Sequence, residues 1–122
     1  MSPPPSAEPA LVVVRSGPAS ERGWLGLRIA LALGLDGGEV TVWLCGDGAG
    51  WALPLDVRAW LGDDPGRDLD GLLDDAGATV LVDAGSLAAA GADPSACRRG
   101  VAVAGAEEYG RHLGATARVL AV

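Results

Sequence analysis

Short apolar runs alternate with longer mixed segments along this chain, and the alternation predicts its elements. Ala10-Leu-Val-Val-Val14 is a continuous apolar run rich in β-branched residues, the pattern of a strand covered on both faces of a parallel sheet. A polar turn follows, in which Ser20 is placed to cap a helix and Glu21 falls in its first turn. From Trp24 to Leu35, the set Leu25, Leu27, Ile29, Ala32 and Leu33 with few charges predicts a largely buried helix, stopped by Gly37-Gly38. Glu39 to Leu44 is a second strand, running into Cys45 and the glycine-rich stretch Gly46-Asp-Gly-Ala-Gly50.

The second half repeats the pattern. Trp51 to Leu61 is helical in part, with an interruption at Pro54. Asp68 to Ala76 is amphipathic, with Leu69, Leu72, Leu73 and Ala76 on one side and Asp70, Asp74 and Asp75 on the other. Ala78 to Val82 is a third buried strand, Ser86 to Ala90 a short helix, and Asp93-Pro94 starts another turn. Val101 to Ala104, Gly105 to Leu113 and Ala117 to Val122 complete a strand, a helix and a last strand. In this last helix, Glu107 and Glu108 lie near the amino end and Arg111 and His112 near the carboxyl end, which suits the helix dipole. Strands alternating with helices imply right-handed crossovers and a mainly parallel sheet, an α/β domain over residues 10–122. Residues 1–9, with three consecutive prolines, read as a flexible extended arm.

Composition narrows the classes of function. At 122 residues with 49% hydrophobic content, the chain is one ordered domain. Its net charge of -7 argues against nucleic-acid or anionic-membrane partners, which its field would repel. The acids concentrate between Pro54 and Asp93, where nine Asp stand against two Arg, and the remainder of the chain is balanced. Clustered carboxylates suit a hard cation, but Asp68-Leu-Asp70-Gly71 lacks further ligand positions of a calcium loop, so a solvated face is the reading and no metal is expected. Two cysteines exclude a disulfide framework or a four-cysteine zinc site. With neither a basic and apolar leader nor an apolar stretch of about 20 residues, the expectation is a cytoplasmic protein.

In open α/β sheets, ligands sit beyond the carboxyl ends of the strands. That rule singles out the loops at Arg15–Ser20, Cys45–Gly50, Asp83–Ser86 and Ala104–Glu107. Backbone N–H groups around Ser16, Gly17, Gly46, Asp47, Gly48 and Ser86 form a candidate site for a small ligand or anion. Gly46-Asp-Gly-Ala-Gly50 lacks the Lys-Ser/Thr ending of a phosphate loop and reads foremost as a tight turn; no cofactor motif is present. Cys45 closes an apolar strand, which suits a small core residue, with a reactive thiol as the alternative. Cys97 precedes Arg98-Arg99, whose charge could lower its pKa, but it falls before a strand, away from the ligand edge. Trp51 and Trp60 are candidates for a subunit contact. No nucleophile–histidine pair can be assembled around His112.

Several segments resemble the DsrE/DsrF-like family, small α/β proteins of sulfur relay that include the TusBCD-type carriers. Leu11-Val-Val-Val-Arg-Ser-Gly-Pro18 is similar to its first strand and turn, and Glu21 to Ala30 to its first helix. Glu39-Val-Thr-Val-Trp-Leu-Cys-Gly-Asp-Gly48 resembles its apolar strand running into Gly-Asp-Gly, while Gly100 to Gly105 and Ala117 to Leu120 resemble its closing elements. The resemblance implies a three-layer α/β/α fold with about five mainly parallel strands. It also implies assembly as dimers, trimers or hexamers, or as hetero-oligomers with other sulfur-relay subunits. In the carriers, a Cys just after the third strand holds sulfane sulfur as a persulfide; here Val80-Leu-Val-Asp-Ala-Gly-Ser86 puts Asp83 in that position. The resemblance therefore implies a non-catalytic, structural or regulatory subunit, with Cys45 as the alternative carrier.

Overall fold

The computed structural model describes residues 9–54, 66–116 and 118–122. Its elements run β1 (Ala10–Val14), α1 (Glu21–Leu35), β2 (Val40–Leu44), a 3-10 helix (Gly46–Ala52), α2 (Arg67–Asp74), β3 (Thr79–Asp83), α3 (Ala84–Ala89), a 3-10 turn (Pro94–Ala96), β4 (Val101–Ala104), α4 (Ala106–Ala115) and β5 (Arg118–Ala121). The proline-rich arm up to residue 8, Trp60 and the rest of the expected 51–61 helix beyond Pro54 lie outside the described residues.

All five strands are parallel, in the order β4-β3-β2-β1-β5. That order and right-handed crossovers decide the layers. Steps from β1 through β4 move one way along the sheet and set α1, α2 and α3 on one face. The return from β4 to β5 crosses the sheet in the other direction and sets α4 on the opposite face. The result is the three-layer α/β/α arrangement.

Side-chain alternation along the strands builds a core on each face. Val12, Val14, Val42, Leu44, Val80 and Val82 pack with Leu27 and Ala30 of α1, Leu69 and Leu72 of α2, and Leu87 of α3. Leu11, Val13, Trp43 and Leu81 form a smaller core on the other face with Ala104, against Tyr109 of α4. The Trp43 and Tyr109 rings lie 4.7 Å apart between centroids.

Three local outcomes differ from the sequence pattern. Helix α1 starts at Glu21, with the Ser20 hydroxyl accepting from Arg22 N–H, and it buries Gly23, Gly26, Leu27 and Ala30 while Leu25 is 53% exposed. Small residues face the sheet because the helix approaches it closely: a Cβ on Gly26 would lie 3.2 Å from Val14 Cγ2 and 3.3 Å from Val122 Cβ. Strand β5, one edge of the sheet, is exposed throughout. Trp51 is fully buried, which removes it as a subunit contact. Its indole N–H donates to the Ser16 carbonyl at 2.9 Å, so its polar edge and its apolar body are both used inside the chain.

Candidate functional site

The carboxyl ends of β2 and β3 open onto a cleft of about 500 Å³, lined by Gly46, Asp47, Gly50, Asp83, Gly85, Ser86, Ala89 and Ala90. Parallel pairing builds this edge. Val14, Leu44 and Val82 are register partners across β1, β2 and β3, so the next residues, Arg15, Cys45 and Asp83, stand in one row.

Asp83 terminates β3 and caps α3. Its Oδ2 accepts from Ser86 N–H at 2.9 Å and from the Ser86 hydroxyl at 2.7 Å. The Ser86 oxygen in turn accepts from Gly46 N–H at 2.9 Å. Gly46 enters the 3-10 helix with φ +55, a left-handed conformation suited to glycine. The chain Gly46 N–H to Ser86 Oγ–H to Asp83 carboxylate thus joins two loops that are 40 residues apart in sequence.

Cys45 is half-buried beside this network and packs on the smaller core. Burial pushes its thiol pKa up from the ordinary value, the Asp83 carboxylate adds to the rise, and the Arg15 guanidinium partly offsets it. The protonated thiol is favoured, which is the unreactive form. Cys97 follows the 3-10 turn that Asp93 caps, and burial raises its thiol pKa as well. Arg98, beside it in sequence, is ion-paired with Asp70. His112 lies 3.9 Å from Glu108 on α4, remote in topology from the cleft.

Of the residues singled out by sequence, Gly46, Asp47, Asp83 and Ser86 line the cleft and Cys45 adjoins it. Ser16, Gly17 and Gly48 do not line it. They build the brace behind it: the Ser16 carbonyl receives the Trp51 indole, the Pro18 carbonyl receives the Trp24 indole at 2.7 Å, and Gly17 lies against the Asp47 carbonyl. The two indoles meet edge to face at 6.5 Å. Gly50, Gly85, Ala89 and Ala90 complete the wall; small size is their only sequence signal, and glycine and alanine are too common in this chain for that signal to stand out. Arg15 was hidden for another reason, since only strand register sets it beside Cys45.

The electrostatics of the cleft are one-sided. Two carboxylates line it and no basic residue does among the described residues, and the amino end of α3 is occupied by its own aspartate. This lining weighs against a small anion. A second cleft, of about 580 Å³, lies between the end of α2 and the start of β4 and is lined by Asp70, Leu73, Asp74, Arg98 and Arg99 among others. It sits at the amino ends of β3 and β4, away from the candidate chemistry. Among the described residues there is no group of three or more His, Cys, Asp or Glu placed to hold a metal, and no helix long and apolar enough to cross a membrane.

The fold has counterparts in known proteins. The model of the DsrE/DsrF-like family matches residues 9–122. The crystal structure of the YchN protein from E. coli superposes with a TM-score of 0.82, covering 94% of this chain and 98% of that one at 18% identity. No curated protein matches this chain by sequence.

Proposed function

Because this chain belongs to the DsrE/DsrF-like family, we propose that it is a cytoplasmic subunit of sulfur relay that carries no sulfur itself and acts in assembly or regulation. One observation carries the reading. The end of β3, where the resemblance to the carriers puts a persulfide-forming Cys, holds Asp83, and its carboxylate is engaged as the cap of α3. A carboxylate offers no sulfur to form the S–S bond that a persulfide requires. The nearest thiol, Cys45, is favoured in its protonated form, the poorer sulfur acceptor.

Assembly as a homo-oligomer, or with other relay subunits, is part of the same proposal. Val119 and Leu120 on edge strand β5 are 46% and 42% exposed, and Leu113 of α4 is 40% exposed. Apolar side chains along a sheet edge support burial against another chain.

Treating the purified protein with a persulfide donor and measuring its intact mass tests the central claim. The expected spectrum shows no reductant-labile adduct of about 32 Da, the mass of one sulfur atom. Such an adduct on the unmodified chain would overturn the proposal, and its disappearance in Cys45→Ser would establish the rival reading of Cys45 as carrier.

A further inference from the structure

The row of residues beyond the strand ends gives Asp83 a second task. We propose that Asp83, held in place by Ser86, silences Cys45: its carboxylate is the positioning group that keeps this thiol from acting as a nucleophile. The inference rests on the reading above, in which the chain carries no sulfur, and supplies the device that keeps its remaining thiol at this edge dormant.

Three observations support it. Cys45 N–H still bonds to the Val14 carbonyl at 3.1 Å, so the ladder continues to Cys45, one strand from Arg15 and one from Asp83. Neighbouring strands are about 4.8 Å apart, close enough for side chains in one row to interact strongly. Second, the carboxylate cannot easily swing away. It takes two hydrogen bonds from Ser86, and the Ser86 hydroxyl is itself fixed by the N–H of Gly46, the residue after Cys45. Third, among the described residues the charged groups that act on the thiol are Asp83 from the β3 side and Arg15 from the β1 side, while Tyr109 of α4 packs on the same small core and Asp47 stands two residues further along the loop. Partial burial does most to raise the thiol pKa, the Asp83 carboxylate adds to the rise, and Arg15 opposes it. Negative charge beside a half-buried sulfur disfavours the thiolate, the nucleophilic form.

Asn in place of Asp83 removes the charge and keeps an oxygen able to cap α3. In a Cys97→Ser background, where Cys45 is the only thiol, the rate of alkylation by iodoacetamide is followed against pH on the folded protein. Asp83→Asn is expected to move the profile to lower pH and to raise the rate near pH 7.5 severalfold, since each unit of pKa is about tenfold in thiolate. Arg15→Gln is expected to move it to higher pH. The inference is overturned if the Asp83→Asn profile coincides with that of the Cys97→Ser parent. It is equally overturned if only the high-pH plateau rises with no shift of midpoint, which would mean changed access rather than changed charge. A persulfide on the unmodified chain would defeat the relay reading yet leave this comparison of profiles intact, so the two failures are distinguishable.

Discussion

Gly48→Ala lowers the melting temperature by roughly 10 °C or more, or prevents folding; this is the largest effect expected of adding one carbon at any described glycine. A Cβ at Gly48 would lie 2.0 Å from the Val14 carbonyl oxygen and 2.9 Å from its carbon, far inside the roughly 3.5 Å of ordinary contact. The obstacle is backbone, so no rotamer relieves it. The same oxygen accepts the Cys45 N–H that extends the β1–β2 ladder, and retreat of either segment breaks that bond. Forcing a methyl into so tight a place costs about 3 kcal/mol or more, and each kcal/mol is worth about 4 °C in a domain of this size. Thermal melts followed by circular dichroism decide it, with Gly110→Ala as the control. Gly110 lies on exposed α4 with nothing near its added carbon, so that change is neutral or slightly stabilising. A Gly48→Ala melt within about 2 °C of the parent (less than ~1 kcal/mol) would refute the close approach of the two loops.

Trp51→Ala destabilises the protein by about 3–5 kcal/mol, the usual cost of deleting a large buried aromatic side chain. Trp51 is the largest fully buried side chain, packed in the main core and against Trp24. Losing it also strips the Ser16 carbonyl of its donor. Trp51→Phe separates the two contributions: it keeps most of the packing and loses the hydrogen bond, so a smaller loss of about 1–2 kcal/mol is expected. Chemical denaturation measures both. Amide exchange at Ser20, whose N–H bonds to the Gly17 carbonyl, reports on the braced loop and speeds up more than exchange in β2. Equal exchange rates in parent and Trp51→Ala at Ser20 would show that the indole does not hold the β1–α1 loop.

Strands β1 to β4 could be read from the chain to within a residue because each is a compact apolar run, and its neighbours in the sheet only complete what the run requires. The cap at Ser20 was equally legible, since a hydroxyl before a helix satisfies local donors. The buried face of α1 was not. Leu25 looks like a core residue in sequence, yet the helix turns Gly23 and Gly26 to the sheet. That choice depends on the distance between layers, which no local pattern encodes. The exposure of β5 was hidden in the same way, because its residues are as apolar as those of an interior strand and only strand order makes it an edge.

At the candidate site, the rule of the carboxyl edge pointed to loops of which some line the cleft and others pack behind it. Gly46, Asp47, Asp83 and Ser86 converge on the cleft as their loops predict, whereas Ser16, Gly17 and Gly48 serve the brace behind it. The difference lies in backbone proximity: the Val14 carbonyl passes so close to Gly48 that a Cβ there would lie 2.0 Å from its oxygen.

The sequence by itself determined the alternation of strands and helices through apolar periodicity, and its contiguous motifs carried the family resemblance that implies the three-layer class. It also determined that an aspartate ends β3. Only the tertiary structure decided what that aspartate does. Parallel register sets Arg15, Cys45 and Asp83 side by side, and a hydrogen bond spanning 40 residues ties Gly46 to Ser86. Charge acts through space, so Asp83 and Arg15, which the sequence keeps far apart and the sheet brings together, add their opposite pushes to the burial that raises the Cys45 thiol pKa.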